Sequence, residues 1–152
     1  FNDFNKVEIA DLVMLDAPVI NGRAVDRALQ NKVCALERAI GRLKLLPAYD
    51  ALVLLHNYLA MPKLLYTLRT SLCDGNLLLT KFDETLRDGV CSILNVQLTD
   101  DQWIQASLPV HNGGLGLRSA CMLAPSTFLA SAAATLALQN EILPSRLRQL
   151  SS

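Results

Sequence analysis

Residues able to do acid–base, nucleophilic or metal chemistry are few and scattered in this chain. His56 and His111 are the only histidines. His56 has no second His or Cys at i+3 or i+4, the spacing at which one helix face presents two ligands to a metal. His111 borders a glycine-rich turn, a place from which a side chain can face a ligand. Asp100 and Asp101 are adjacent and point apart on a helix, which makes them a poor acid–base pair. Asp83, Glu84 and Asp88 share a polar face with nothing apolar around them to raise a carboxyl pKa. Cys34, Cys73, Cys91 and Cys121 form no C-x-x-C, and no G-x-S-x-G frames a serine nucleophile. Gly113, Gly114 and Gly116 do not spell G-x-G-x-x-G, and no Lys-Ser or Lys-Thr follows them to hold a phosphate. These residues provide no catalytic constellation, no metal set and no cofactor cradle, so the chain is not expected to be an enzyme on its own.

The informative chemistry is cationic. Between Arg23 and Lys44 the basic residues Arg23, Arg27, Lys32, Arg38, Arg42 and Lys44 outnumber the acids Asp26 and Glu37. At about 100° per residue, Arg23, Arg27, Asn31, Arg38 and Arg42 fall on one helix face. A face made only for solubility more often interleaves Glu with Lys at i, i+4. A one-signed arginine stripe suits phosphate oxygens instead, which points to a nucleic-acid backbone. Lys63 and Arg69 add cations further along.

The elements that position these residues read as helices. Val25, Leu29, Val33, Leu36, Ile40 and Leu43 form the apolar stripe of a long helix over about 23–46, opposite the arginines. Pro47 separates it from a helix over 48–60, and Pro62 separates that from a short helix over 63–70. Asp74-Gly75 marks a turn before an amphipathic helix over 76–94, where Asp83 and Arg87 are spaced for an i, i+4 pair. Thr99 and Gln102 have the form of a capping box that opens a helix carrying Trp103, the sole tryptophan, and ending before Pro109. The glycine cluster at 113–116 makes a tight turn that directs Leu115 and Leu117 inward. A helix begins near Arg118, Pro125 interrupts it, Ser126 to Leu138 resumes it, and Pro144 opens a last helix with Arg146 and Arg148. Residues 1–22 differ: apolar and β-branched, they read as two short strands near 6–9 and 12–15, with Asp3, Glu8, Asp11 and Asp16 against Lys6.

Leucine and alanine carry the apolar content and aromatics are only 5%, a balance that favours helix-on-helix packing. The expected fold is mainly α, a bundle of about six to seven helices with a short N-terminal β-hairpin. Charged residues make up 18% of the chain with no net charge, so some apolar surface is left for a partner. The cysteines read as free thiols of a reducing, intracellular compartment, cytoplasmic or nuclear. No basic-then-apolar leader is present, and the richest apolar run, Phe128 to Leu138, reads as too short to span a bilayer. Phe1 in place of an initiator Met reads as the start of a fragment or a processed product.

Three ordered stretches add a resemblance. Leu64-Leu65-Tyr66-Thr67-Leu68-Arg69-Thr70, then Asp101-Gln102-Trp103-Ile104-Gln105-Ala106-Ser107-Leu108-Pro109, then Gly113-Gly114-Leu115-Gly116-Leu117-Arg118-Ser119-Ala120 resemble the thumb and post-palm region of non-LTR (LINE-type) retrotransposon reverse transcriptases. The alanine-rich Ala124 to Ala133 continues the series, so the likeness covers nearly the whole chain. Val13-Met14-Leu15-Asp16-Ala17-Pro18 is similar to the strand-turn by which the palm enters the thumb, except that Asp16 stands where glycine is usual. The resemblance implies a palm-to-thumb strand pair over 1–22 and one helical thumb-like unit over 23–152. It implies a helix lying along the minor groove of a template–primer duplex, with a palm and fingers elsewhere in a parent polymerase. The Tyr/Phe-Ala-Asp-Asp motif of that palm is absent from the chain.

The expected function is therefore non-catalytic holding of an RNA–DNA or RNA duplex by its backbone, weak at zero net charge, through Arg23, Arg27, Asn31, Arg38, Arg42, Lys63 and Arg69. The alternative, from a different class, is a helical protein–protein or self-associating module derived from such an element. No membrane partner is expected in either case.

Overall fold

The computed structural model describes residues 8–18 and 21–142. It is mainly helical, with a two-stranded antiparallel hairpin near the N-terminus. After a 3-10 turn at Ile9–Asp11 come β1 (Val13–Met14) and β2 (Ala17–Pro18), with Val13 opposite Pro18 and Met14 opposite Ala17. The strand expected near 6–9 is overturned at Ile9, which belongs to the 3-10 turn, and residues 6 and 7 lie outside the described residues. Leu15 and Asp16 turn the hairpin with φ of 51° and 64°, the paired left-handed geometry that matches the twist of two short strands. Leucine adopts this geometry at a cost. The hairpin is tied to the body by the Tyr66 hydroxyl, which donates to Leu15 O at 2.7 Å, and by Ser71 Oγ, which donates to Pro18 O at 3.2 Å.

The helices are α1 (Arg23–Leu43), α2 (Ala48–Leu54), α3 (Met61–Thr70), α4 (Leu77–Leu94), α5 (Asp100–Ser107) and α6 (Ala120–Ile142). The apolar stripe of α1 is buried from Val25 to Leu43 as its spacing requires, and it packs chiefly on α4. Phe82, Leu86 and Val90 of α4 complete that layer. Gly89 lies where α4 meets α1: a Cβ there would come within 2.4 Å of Ile40 Cδ1. α3 packs on α6, with Leu64 and Leu68 buried between the layers and Trp103 of α5 half-buried against the core.

Four local expectations need correction. The helix expected over 48–60 stops being α-helical at Leu54 and ends in a π turn, Leu55–Leu59, closed by Ala60 N donating to Leu55 O at 2.9 Å. The widened turn sits just before Pro62, whose ring would clash with a carbonyl one α-turn back. Pro125 does not interrupt α6; it lies inside it. Loss of one N–H bond there is offset by a fully satisfied helix start. Asp83 of α4 accepts from Ala120 N at 2.7 Å, Cys121 N at 3.2 Å and Ser119 Oγ at 2.6 Å, while Ser119 Oγ accepts from Met122 N. The third correction follows, since Asp83 does not pair with Arg87. Arg87 turns to Asp100 Oδ1 at 2.7 Å and Leu98 O at 2.7 Å, clamping α4 to the start of α5. The capping box of α5 forms as expected, Thr99 with Gln102.

The fourth concerns apolar length. No charged residue lies between Arg118 and Glu141, and Ala120–Gln139 is a helical stretch of 20 residues with mean hydropathy 1.6, long and apolar enough to cross a membrane by length and composition. Alanine, serine and threonine dilute the run without charging it, which is why a reading by leucine and phenylalanine alone stops at Leu138. The helix expected from Pro144, with Arg146 and Arg148, lies outside the described residues.

Candidate functional site

The arginine face of α1 forms as the spacing requires, opposite the buried stripe, but the rest of the molecule divides it. Near the helix start the acidic N-terminal segment folds over the cations. Arg23 pairs with Glu8 and, at 2.9 Å, with Asp11 Oδ2. Arg27 lies 3.5 Å from Asp11 Oδ1, an ion-pair distance without a hydrogen bond, so this buried oxygen has no hydrogen-bond donor among the described residues. Asp16 from the hairpin turn shares a small cavity with Arg27 and Asn31. Three carboxylates thus face the first half of the stripe.

The second half is different. Arg38 and Arg42 line a cavity of about 220 Å³ together with Lys32 of α1 and Lys63 of α3. Its floor is apolar, made by Ala35, Ala39, Leu59 and Phe82, and among the described residues no acidic side chain lines it. Arg38 Nε donates to Cys34 O at 3.2 Å, a bond within its own helix that leaves the other guanidinium donors uncommitted. Among the described residues none of these four cations forms an ion pair. Four positive charges beside an apolar floor repel one another and attract an anion, because low-dielectric walls keep the field from being screened.

The seven residues singled out by sequence therefore occupy three places. Arg38, Arg42 and Lys63 converge. Arg23, Arg27 and Asn31 lie beside the hairpin and its acids. Arg69 lies apart, in a furrow between α3 and α6 lined by Leu65, Thr127 and Ala130. Lys32 joins the convergent set although it stands about 80° round the helix from Arg42. Only the approach of Lys63 from α3 shows that this edge of the stripe is the one that matters.

The glycine turn is a packing device with a histidine against it. Gly113 and Gly116 have φ of 80° and 72°, and Gly114 has no room for a side chain: a Cβ would lie 2.0 Å from Leu108 O and 2.7 Å from Gln105 O. The turn is stitched to α5 by Leu115 N donating to Ala106 O at 2.9 Å and Gly116 N donating to Leu108 O at 2.8 Å. Leu117 is buried, as the alternation requires, whereas Leu115 stays exposed. The histidine that meets this turn is His56 of the π turn, not His111. A Cβ on Gly116 would come within 2.8 Å of His56 Nε2, and His56 Nδ1 lies 2.9 Å from Asn57 Oδ1. His111 is exposed on its 3-10 turn and lines none of the described cavities.

All four cysteines are free thiols. Burial pushes the Cys73 thiol up to about 11, which leaves it unreactive at neutral pH, and burial also raises Cys121 against the opposing hydrogen bond from Thr80. Among the described residues no three His, Cys, Asp or Glu side chains gather as a metal set. Compared with known proteins, the chain matches no family model, no curated protein and no solved structure.

Proposed function

We propose that this chain is a non-catalytic helical module that holds a nucleic-acid duplex by its phosphate backbone, as the thumb of a retrotransposon reverse transcriptase does. The observation that carries this reading is the acid-free convergence of Lys32, Arg38, Arg42 and Lys63 across α1 and α3. Phosphate contacts of this type fix position without reading sequence. Affinity at zero net charge is modest and falls with salt as counterions return to the duplex. RNA–DNA hybrid or RNA duplex is the partner class, and the palm and fingers of a parent polymerase would supply the chemistry. An intracellular setting, cytoplasmic or nuclear, goes with this reading.

Fluorescence anisotropy of a labelled RNA–DNA duplex, titrated at about 25 and about 200 mM salt, tests the proposal. Binding that weakens steeply with salt and is insensitive to duplex sequence is the expected result. Absence of binding at the lower salt overturns it.

A second reading has its own observation. From Ala132 to Ile142 every α6 residue with a described side chain is exposed, with Leu136 and Leu138 among them, so this arm offers apolar surface for association. A mass that rises with concentration in sedimentation, with no duplex binding, would favour a protein-interaction module.

A further inference from the structure

The furrow between α3 and α6 lies apart from the cationic groove, and the duplex-holding reading makes no use of it. Two cavities, of about 420 and 590 Å³, share Leu65 and Thr127 in their linings and lie next to each other along the furrow. Its lining follows helix spacing on both sides: Met61, Leu65 and Arg69 on α3, and Leu123, Thr127, Ala130 and Ala134 on α6. The two helices run in the same sense along it for about 12 Å, eight residues at 1.5 Å each. Small residues on the α6 side allow close approach of a third element, and this geometry fits a helix laid between two parallel helices.

Charge specifies that helix. Arg118, beside His56, stands at one end of the furrow and Arg69 at the other, and among the described residues no acidic side chain lines either cavity. Between these ends the wall is apolar or offers hydroxyls. Ser126 Oγ already donates to Leu123 O and Thr135 Oγ1 to Ser131 O, so these two present lone pairs in preference to protons. A phosphate backbone would find cationic donors only at the ends, with the neutral hydroxyls of Thr127 and Ser131 between them. Single-stranded nucleic acid would also lack a stacking platform, because among the described residues no Phe, Tyr or Trp lines the furrow. A second copy of α6 would bring no carboxylate before Glu141 to meet the arginines.

We propose that the α3–α6 furrow is a docking groove for an amphipathic helix of a partner protein, apolar at i, i+4 and i+7 and acidic at both ends. Panning of a phage-displayed library of helical peptides against the whole chain tests this, with counter-selection on Ala130→Trp, which fills the furrow from an exposed position. Ala134→Trp serves as a second filling variant, and circular dichroism checks that both fold. The expected outcome is enrichment of peptides with that apolar spacing and Asp or Glu at each end. A selected peptide, labelled and titrated by anisotropy, should lose at least about fivefold in affinity with Arg69→Glu or Arg118→Glu and regain it when its terminal acids are changed to Lys. Enrichment that survives both filling variants, enrichment of basic or uncharged peptides, no enrichment at all, or displacement of the peptide by an RNA oligonucleotide would each overturn the proposal. Arg38→Ala/Arg42→Ala should leave peptide binding unchanged, so this test stands or falls separately from duplex holding.

Discussion

The two halves of the α1 arginine face have similar sequence and opposite surroundings. Arg23 and Arg27 are spaced like Arg38 and Arg42, one helical turn apart on the same side, yet the first pair faces Glu8 and Asp11 while the second faces Lys32 and Lys63. In the first half a phosphate would have to displace a carboxylate already bound to the guanidinium; in the second it meets uncommitted donors. A charged stripe on a helix thus defines a capacity, and neighbours from distant sequence decide whether this capacity is available. The same rule separates Arg69 from the rest: its charge is right, but the furrow it caps belongs to a different surface.

Substitutions distinguish the two halves. The largest effect is expected from Gly114→Ala, a control on the body of the fold, where the new Cβ would collide with the backbone at Leu108. It should cost more than about 3 kcal/mol, on the order of a 10 °C fall in Tm, read by thermal denaturation. If duplex affinity of the still-folded protein fell with it, stability and not charge would explain the site. Next comes Arg38→Ala/Arg42→Ala, for which anisotropy should show a loss on the order of tenfold at low salt and a salt slope shallower by about two, with Tm nearly unchanged. An unaltered affinity would sink the assignment of the interface to the open half.

Glu8→Gln/Asp11→Asn removes the two carboxylates that pair with Arg23 and Arg27 without removing the arginines. Affinity should then rise about threefold and the salt slope steepen, because two more guanidinium groups become available; a decrease would mean that the acids organise the site and do not mask it. The smallest effect belongs to Arg23→Ala/Arg27→Ala, less than about twofold on duplex binding and within about 1 kcal/mol of stability, since both arginine side chains are largely exposed. Equal losses from the two arginine pairs would abolish the distinction between the halves.

Much of this architecture is legible in the order of residues. The stripe from Val25 to Leu43, the capping box at Thr99 and the glycines at 113 and 116 each specify local structure through periodicity, capping chemistry or the left-handed region of φ, and each forms. Two departures come from a remote partner. Asp83 looks like the mate of Arg87 four residues on, but the unsatisfied N–H groups at the start of α6 take its carboxylate. Pro125 looks like a helix breaker, but that same cap and the packing of α6 on α3 hold the helix through it.

A mainly helical chain, its apolar and cationic faces and the places of its turns follow from the order of residues alone. These depend on interactions within a few residues, whose geometry the backbone fixes. Only the tertiary structure decided which arginines are masked, that Lys63 completes the cationic groove with Lys32, and that His56 meets Gly116 while His111 stays exposed. Those are contacts between segments far apart in the chain. Charge acts through space at a few ångströms, so its effect is set by what folding brings alongside.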